Sequence, residues 1–457
     1  MTTKVTIPIV FPYLPHHLFP GHREEPIFET TSSLIDTVET KTKALVITLR
    51  ENQEDKHRAE ARLEELLSLV KTMGAEVASS LIIPLRTINP ATLIGSGKVA
   101  EVMTIAEEAH ADCIIFDHDL PPRCQRNLEE MTSLAVIDRQ EVILQIFSDR
   151  AVTKEAVLQV ALARQEYSLP RLTRKWTHLS RQQGGAKGTR GEGETQLELD
   201  RRIVANRITQ LKEELKKIEA QRVIQRKSRS NGTVPTAAIV GYTNAGKSSL
   251  LNLLAKSDVL VEDKLFATLD PTTRRISFPN GGDILLTDTV GFVSDLPHQL
   301  VDAFKSTLEE ASYDDFIVHV CDAAHPDMLQ CYDTTMEVLA SLGCEGKPMV
   351  VFINKMDMAH NEFAVAKIMS QHPDAIQGSI KEGTGIDKLM AAIEAKAHES
   401  HPEHEYLFPN TRHDLVALVR NSGTLIAAEY LPEGILVKAR VPERLLSKFE
   451  PFERIEN

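Results

Sequence analysis

The sequence predicts an α/β protein with two α/β domains, a helical segment between them and a small α+β module at the end. The chain has 457 residues, which at about 150 residues per domain corresponds to roughly three domains. Hydrophobic residues make up 42% of the chain, which is enough for packed cores and excludes a wholly disordered protein. Short apolar runs alternate with helical patterns in two separate stretches, as they do in open, mostly parallel sheets.

The first open α/β domain is predicted over residues 41–170, after an N-terminal extension at residues 1–40 in which Pro, His and Thr cluster. Apolar, β-branched runs predict its strands at 44–49, 81–83, 113–116 and 134–137. Helical spacing predicts helices at 57–73, 98–109 and 153–169. Their alternation predicts a parallel sheet.

Residues 171–232 are predicted to form a Gly- and Arg-rich loop followed by a helical arm. Between Glu198 and Arg226, apolar side chains recur in steps of four and three, at Val204, Ile208, Leu211, Leu215 and Ile218. This spacing predicts a helical hairpin arm or a short coiled coil. The arm could pack on its own domain or be presented to a partner, and the spacing fits both.

The charge is strongly segregated along the chain. The net charge is −13, yet residues 164–229 hold 17 Lys and Arg against 8 Asp and Glu, a net charge of +9 that leaves −22 for the rest. A uniformly acidic surface would repel nucleic acid, so any such partner is expected at this basic zone. The other interpretation is a solvated basic linker.

Composition excludes several other classes of protein. Aromatic residues make up 5% of the chain, with one Trp, which disfavours a carbohydrate-stacking site. No apolar run reaches the roughly 18–20 residues of a spanning helix, and the N-terminus predicts no secretory signal. Five cysteines without a Cys-x-x-Cys pair disfavour a disulfide framework and a structural zinc site. We therefore expect a cytoplasmic protein.

The second α/β domain is predicted over residues 233–400, with buried strands at 237–240, 284–286, 316–320 and 350–353. Residues 401–457 are predicted to form the small C-terminal α+β module. Apolar runs at 416–419, 424–428 and 435–439 are spaced like its strands. The sequence does not indicate the function of this module.

A phosphate-binding loop follows the first strand of the second domain. The segment from Gly241 to Ser248 fits the pattern G-x-x-x-x-G-K-S and leads into a helix. Its backbone N–H groups and the helix N-terminus favour a bound phosphate, Lys247 can reach the β- and γ-phosphates, and Ser248 can bind Mg²⁺. The predicted nucleotide contacts are Gly241, Tyr242, Thr243, Asn244, Ala245, Gly246, Lys247 and Ser248.

Two later motifs predict that the nucleotide is a guanine nucleotide. Asn354-Lys355-Met356-Asp357 follows a strand, and the Asp357 carboxylate can accept both the ring N–H and the exocyclic amine of guanine. Adenine lacks that pair of donors, so it would leave the carboxylate unsatisfied. Ser379, Ile380 and Lys381 follow another short strand, where their backbone can support the base. This domain is therefore predicted to be a P-loop GTPase domain with a doubly wound, mostly parallel sheet.

Two segments are predicted to act as switches that respond to the γ-phosphate. Asp288, Thr289, Val290 and Gly291 end a strand; Asp288 would hold Mg²⁺ through a water, and the Gly291 N–H would sense the γ-phosphate. Thr268 is the candidate for a second direct Mg²⁺ ligand beside Ser248, with Thr272 and Thr273 as alternatives. The first switch segment comprises Phe266, Ala267, Thr268, Leu269 and Asp270. Lys247, Thr268 and Gly291 are the predicted catalytic residues.

Five motifs in this order resemble the translation-factor-related GTPases, and upstream segments resemble the HflX family. The resemblance covers roughly residues 43–398, although family members usually have Pro where Glu192 stands and a shorter stretch at 184–190. It depends on these segments: Ile94-Gly95-Ser96-Gly97-Lys98, Phe116-Asp117, Gln125-Arg126-Asn127-Leu128-Glu129, Leu169-Pro170-Arg171-Leu172, Trp176-Thr177-His178-Leu179-Ser180-Arg181-Gln182, Gly191-Glu192-Gly193-Glu194-Thr195-Gln196-Leu197-Glu198, the loop at Gly241–Ser248, and Phe266-Ala267-Thr268-Leu269-Asp270-Pro271-Thr272.

The resemblance implies a GTPase that binds the large ribosomal subunit and splits or rescues stalled or idle ribosomes under stress. It also implies a cytoplasmic protein that is partly ribosome-associated, and we expect it to be a monomer off the ribosome. The basic zone suits a cleft lined by rRNA phosphates. The residues expected nearest to RNA are Arg171, Arg174, Arg181 and Arg190.

The motif set lacks one familiar catalytic group. Many GTPases carry a Gln directly after Asp-x-x-Gly to orient the attacking water, and here Phe292 stands in that position. Hydrolysis by the chain alone is therefore predicted to be slow and to be stimulated by a partner, the ribosome. Arg274 or Arg275 could contribute from within the chain, but arginines beside a switch are more often surface charges.

Two other functions remain open from the sequence. One is an RNA-remodelling NTPase with a second, adenine-nucleotide site at Gly95-Ser96-Gly97-Lys98. That segment is half a phosphate loop, because Val99 stands where a hydroxyl is required, so we favour a tight turn at a helix start. The other is a GTPase that regulates a protein partner without RNA.

Overall fold

We describe the chain from a computed structural model. It covers residues 41–51, 56–172, 192–229, 234–256, 266, 271–279, 282–293, 310–359, 361–400, 403–422, 424–441 and 443–454. Contacts divide the chain into two units, Met1–Ile143 and Leu144–Asn457, and each is described by itself. Within the described ranges, no helix combines the length and the apolarity needed to cross a membrane.

The N-terminal unit contains a four-stranded, all-parallel sheet in the order β2-β1-β3-β4. Alternate residues of β1 (Leu45, Ile47 and Leu49) face a core that also takes in side chains from two helices. The strands are β1 Lys43–Glu51, β2 Glu76–Leu85, β3 Cys113–Phe116 and β4 Ala135–Asp138; the helices are α1 Lys56–Thr72, α2 Ser96–Glu108 and α3 Pro122–Thr132, and α4 Arg139–Arg150 begins in this unit and ends in the second. The predicted parallel α/β domain is confirmed.

The sequence analysis missed helices α3 and α4 for opposite reasons. In α3 only Cys124, Gln125 and Leu128 are buried, so the apolar stripe is too thin to stand out. In α4 the segment from Val142 to Phe147 is buried at every position. An apolar run interrupted only by Gln145 has no clear helical period, so it cannot be told from a buried strand by pattern alone.

Helices α5 (Lys154–Ser168) and α6 (Glu192–Arg229) pack against each other. The Thr153 hydroxyl caps α5 by accepting a hydrogen bond from the Ala156 N–H at 3.2 Å. Leu211 is fully buried against Leu158 and Leu162, as the four-and-three spacing predicts. The helical arm is therefore one side of an α-helical pair.

The second α/β domain contains a six-stranded sheet in the order β10-β9-β8-β5-β7-β6. All pairs are parallel except β6 with β7. The strands are β5 Thr236–Val240, β6 Thr272–Ser277, β7 Asp283–Asp288, β8 Phe316–Asp322, β9 Met349–Asn354 and β10 Ile376–Gln377; the helices are α7 Lys247–Leu254, α8 Glu310–Tyr313, α9 Met328–Ser341, α10 Glu362–Gln371 and α11 Ile386–Ser400.

Helices cover both faces of this sheet. One core joins Val320 and Phe352 to α7 and α11, and a second joins Cys321 and Ile353 to α9 and α10. Because neighbouring strand residues point to opposite faces, the two cores alternate along β8 and β9. The predicted doubly wound arrangement is confirmed. Its strand order reverses at β5, where such sheets bind ligands at the carboxyl ends of the strands.

The C-terminal module is an antiparallel sheet in the order β11-β13-β12 with two helices. The expectation of a strand at 416–419 is wrong, because these residues lie in a helix. Leu415, Val416 and Val419 are its buried residues, which share one helical face, and the short run concealed that period. The elements are β11 Glu403–Phe408, α12 His413–Ser422, β12 Thr424–Leu431, β13 Gly434–Arg440 and α13 Glu443–Phe449.

All five cysteines lie among the described residues, and all are buried. Burial raises the pKa of the Cys113 thiol to about 12 and raises that of Cys321 as well. These thiols are therefore protonated near neutral pH.

Candidate functional site

The phosphate loop connects β5 to α7, and two of its glycines are required by geometry. Gly241 has φ +148°, and a Cβ there would lie 2.2 Å from the Val320 carbonyl oxygen. Gly246 has φ +101°, and a Cβ there would lie 2.5 Å from Asn354 Nδ2. Only glycine satisfies both the backbone conformation and the lack of space. The two fixed positions of the motif are thus explained by contacts with β8 and β9.

Lys247 lies in the first turn of α7 with its ammonium inside the loop. Its Nζ donates to the carbonyl oxygens of Gly241 at 3.1 Å and Tyr242 at 2.7 Å. Burial lowers the pKa of Lys247 to about 8, and the nearby Asp288 carboxylate opposes that shift. A buried cation with so little anionic compensation is suited to a phosphate, which supplies the missing negative charge.

Ser248 and Asp288 bring two hard oxygen donors together beside the loop. The Ser248 hydroxyl donates to Asp288 Oδ2 at 2.6 Å, although the two residues are 40 positions apart. Asp288 is buried at the end of β7. A hydroxyl and a carboxylate at this separation fit a small divalent cation such as Mg²⁺, which prefers oxygen ligands.

The segment after Asp288 lies directly against the phosphate loop. The Thr243 N–H donates to the Phe292 carbonyl at 2.7 Å, and the Phe292 N–H donates to the Gly241 carbonyl at 3.1 Å. A Cβ on Gly291 would lie 2.8 Å from the backbone Cα of Thr243, so glycine is required here too. The Phe292 side chain is fully buried. The phenyl ring has no donor or acceptor atom, so it cannot orient a water at the γ-phosphate position.

The predicted base-recognition residues lie together at the carboxyl ends of β9 and β10. Asn354 Nδ2 donates to the Ala245 carbonyl at 2.8 Å, and its Oδ1 accepts from the Ile380 N–H at 3.0 Å. Asn354 thus ties the phosphate loop to the last loop. The Asp357 carboxylate is exposed beside this junction, where it is open to a base.

Two supporting residues were missed by the sequence analysis. Asp322, at the end of β8, forms a 2.8 Å ion pair with Lys355, whose φ is +60°. Thr384 Oγ1 accepts from the N–H of the buried Ser379 at 2.9 Å. The signal for Asp322 was present, since it ends a parallel strand at the same edge as the motifs. Thr384 gave no sequence signal.

The first switch segment is represented by Phe266. Its backbone is in the left-handed region at φ +55°, which is costly for a bulky residue. Its ring is buried and meets Phe147 edge-on, with 4.6 Å between centroids. Ala267, Thr268, Leu269 and Asp270 lie outside the described residues. Of the alternatives to Thr268, Thr273 shares a hydrogen bond with Thr287 at 3.0 Å.

Most of the predicted RNA contacts lie outside the described residues, namely Arg174, Arg181 and Arg190. Arg171 is described: its guanidinium lies 3.5 Å over the Tyr167 ring and donates to the Tyr167 carbonyl at 3.1 Å. In the N-terminal unit, Lys98 forms an exposed ion pair with Glu101 at 2.6 Å. In the described part of the chain, no three or more His, Cys, Asp or Glu side chains are grouped so that they could hold a metal ion.

The fold and the site together place the chain among the P-loop GTPases, which bind guanine nucleotides. Three family models match it: GTP-binding GTPase N-terminal at residues 60–148, GTP-binding GTPase Middle Region at 150–229, and 50S ribosome-binding GTPase at 236–355. The chain belongs to the HflX GTPase family, and it is a GTP-hydrolysing enzyme.

Curated relatives match over most of the chain. A GTPase HflX of Akkermansia muciniphila is 44% identical, covering 90% of this chain and 96% of the relative. A GTPase HflX of Treponema denticola is 51% identical, covering 72% of this chain and 86% of the relative. A solved structure described as SsGBP in complex with GDP is 29% identical, covers 79% of this chain and 99% of that chain, and has a TM-score of 0.47.

Proposed function

We propose that the chain binds the large ribosomal subunit in its GTP form, splits or rescues stalled or idle ribosomes under stress, and is released after hydrolysis. The observation that carries this proposal is the buried Phe292, whose backbone is bonded to the phosphate loop. A GTPase without a water-orienting side chain at this position hydrolyses GTP slowly on its own and needs a partner to reach a high rate. The family model described as a 50S ribosome-binding GTPase supports the ribosome as that partner.

The basic zone supports RNA as the surface that is bound. Residues 164–229 carry +9 in a chain whose net charge is −13. This zone includes α6 and the last five residues of α5, the helix that packs on it. A long helix with clustered cations suits rRNA, since phosphate contacts dominate the affinity of such complexes. We place Arg171, Arg174, Arg181 and Arg190 nearest to the RNA.

Within the site, each part has a distinct role in the proposal. Lys247 and the loop N–H groups bind the phosphates, Gly291 senses the γ-phosphate, and Asp357 selects guanine. Ser248 and Thr268 would hold Mg²⁺, and Asp288 would hold it through a water. The bound ion would neutralise charge that develops on the β- and γ-phosphate oxygens. The exposed pairing of Lys98 with Glu101 gives no support to a second nucleotide site.

The proposal is tested by GTP turnover and co-sedimentation of the full chain with purified large subunits in GTP, GDP and a non-hydrolysable analogue. We expect subunits to raise turnover, tight co-sedimentation with the analogue, and binding that weakens steeply with salt. Sucrose gradients of intact ribosomes would show splitting as a loss of the whole-ribosome peak. Equal turnover with and without subunits would contradict the proposal.

The matched control is Asp357→Asn. An amide at this position donates where the carboxylate accepts, so it repels the guanine amine and suits the C2 carbonyl of xanthine. We expect this variant to respond to xanthosine triphosphate and to ignore GTP in every assay. A variant that still responds to GTP would show that Asp357 does not select the base.

A further inference from the structure

Thr243, the third residue of the phosphate loop, has a buried hydroxyl without a hydrogen-bond partner among the described residues. The residue is 5% exposed. Its backbone N–H, in contrast, donates to the Phe292 carbonyl at 2.7 Å. An unpaired hydroxyl costs stability, and valine would fill the same volume without that cost. The hydroxyl is therefore expected to gain a partner in another state of the site.

The surroundings of Thr243 show what that partner is. A Cβ placed on Gly291 would lie 2.8 Å from Lys247 Nζ, 2.8 Å from Thr243 Cα and 2.9 Å from Thr243 Cγ2. The ammonium of Lys247, the backbone of Gly291, and the Cα and methyl carbon of Thr243 therefore lie together, and the Thr243 hydroxyl is bonded to the same Cβ as that methyl group. In the proposed nucleotide site, Lys247 and Gly291 bind the γ-phosphate, so Thr243 lies on the γ-phosphate side of the loop.

Hydrolysis at this site also requires a hydrogen-bonding group that can orient the attacking water. The side chain of Phe292 has no hydrogen-bonding atom, and both of its backbone groups are bonded to the phosphate loop. Arg275 pairs with Asp283 at the protein surface, and Arg274 is exposed on the same strand. Among the described residues, neither arginine forms a hydrogen bond or an ion pair with the phosphate loop. The Thr243 hydroxyl is a neutral donor and acceptor that is already there.

We propose that Thr243 is a further catalytic residue of GTP hydrolysis, an inference that rests on the proposed nucleotide site. Its hydroxyl accepts a hydrogen bond from the attacking water and donates its own hydrogen to a γ-phosphate oxygen. The water oxygen bonds to the γ-phosphorus while the bond from that phosphorus to the β–γ bridging oxygen breaks. GDP leaves with the electron pair, the water proton passes to a γ-phosphate oxygen, and Thr243 keeps its own proton.

The test compares Thr243→Val with Thr243→Ser in the full chain. Valine keeps the shape and removes the hydroxyl, whereas serine keeps the hydroxyl. Single-turnover GTP hydrolysis is measured with and without large subunits, together with GDP affinity. We expect valine to lower the hydrolysis rate by about 10- to 100-fold in both conditions and serine to restore it to within about threefold. GDP affinity should stay the same, because GDP lacks the γ-phosphate.

The control is Thr335→Val. The Thr335 hydroxyl is also buried, but it is bonded to the Cys331 carbonyl within α9 at 2.8 Å. We expect that variant to keep its hydrolysis rate. If Thr243→Val hydrolyses GTP as fast as the unmodified chain, or faster, the role of Thr243 is wrong and the proposed function still stands. If it loses GDP affinity as well, the hydroxyl acts in binding and the inference is also wrong.

The two proposals fail in different measurements. An unmodified chain whose turnover is not raised by large subunits contradicts the proposed function. The intrinsic rates of the unmodified chain and of Thr243→Val still decide the role of the hydroxyl in that case.

Discussion

Two glycine-rich turns with similar sequences precede helices in this chain, one at Gly95–Lys98 and one at Gly241–Ser248. Lys98 lies at the surface, where it pairs with Glu101 in the same helix. Lys247 is buried, and its ammonium donates to two carbonyls of its own loop. The first lysine is paired with a carboxylate at the surface, whereas the second is bonded to backbone carbonyls, with the Asp288 carboxylate nearby.

The glycines of the two turns differ in the same way. A Cβ on Gly95 or Gly97 would meet nothing within 4 Å, and Gly95 has an ordinary extended backbone. Gly241 and Gly246 have positive φ angles, and a Cβ on either would overlap a neighbour. The phosphate loop therefore differs from the other turn in two structural features: the fold requires its glycines, and its lysine is buried. The sequence motif alone does not show this difference.

The carboxyl edges of the two parallel sheets extend the comparison. In the N-terminal sheet, Asp117 is buried between Arg62 at 2.9 Å and Arg139 at 3.1 Å. Asp138 accepts backbone N–H groups from Leu120 and Glu141. These carboxylates are therefore satisfied within the unit. In the second sheet the corresponding edge holds Lys247 and the exposed Asp357, which is why only this edge is suited to a nucleotide.

The largest expected difference between the turns is in catalysis. Lys247→Ala should reduce GTP turnover by at least about 100-fold, because it removes the cation at the β- and γ-phosphates. Lys98→Ala should leave turnover unchanged. Steady-state phosphate release measures both. A large loss of GTP turnover in Lys98→Ala would mean that the two turns are functionally alike.

The next effect is on the stability of the N-terminal unit. Arg139→Met leaves Asp117 and Glu65 without this partner in a buried site, which should cost about 3–5 kcal/mol. Urea unfolding measures this loss. The matched control is Arg412→Met, which removes an exposed pair with Asp414 and should leave the unfolding midpoint unchanged. Similar urea unfolding midpoints for the two variants would show that the buried ion pairs at the carboxyl edge of the N-terminal sheet do not stabilise it.

A smaller effect is expected from adding one methyl group to each turn. Gly241→Ala forces a Cβ to within 2.2 Å of the Val320 oxygen and should destabilise the chain by more than about 1 kcal/mol. Gly97→Ala enters open space in the first turn of α2 and should stabilise it by up to about 1 kcal/mol. Thermal unfolding measures the melting temperature of both variants. Equal shifts in melting temperature would show that the two turns do not differ in the space available for a Cβ.

The smallest effect at neutral pH concerns His319, which is buried beneath the phosphate loop on β8. Burial, with contributions from His372 and Lys247, lowers the pKa of His319 to about 3. Between pH 6.5 and 3 the unfolded chain binds a proton that the folded chain excludes, so stability falls as the pH falls. His319→Gln should flatten that slope in thermal unfolding measured from pH 7 to pH 4. An unchanged slope would show that other groups cause the acid sensitivity.

The sequence predicted the second α/β domain in detail because its motifs follow buried strands at one sheet edge. The segments from Gly241 to Ser248 and from Asn354 to Asp357 meet as expected, joined by the side chain of Asn354. What escaped prediction depends on partners distant in the chain, such as Phe147 on Phe266 and Asp322 on Lys355. The exposed, Thr- and Arg-rich strand β6 was missed as well, because only Ile276 is buried in it.

In the C-terminal module, too, the local sequence pattern did not determine the secondary structure. A four-residue apolar run at 416–419 fits a strand or a helix, and only its packing against the C-terminal sheet decides between them. The predicted domain boundaries and the residue assignments of the nucleotide site remain predictions, which the variants above address.

The buried cysteines make this chain convenient for fluorescence work. Thiol-directed dyes react with exposed thiolates, and the native sulfur atoms are shielded and, at Cys113 and Cys321, protonated far above neutral pH. A single introduced thiol on the exposed side of α6, such as Lys217→Cys, would therefore take up a dye in the otherwise unaltered protein. Its emission would then report in real time when the basic helix meets a polyanion.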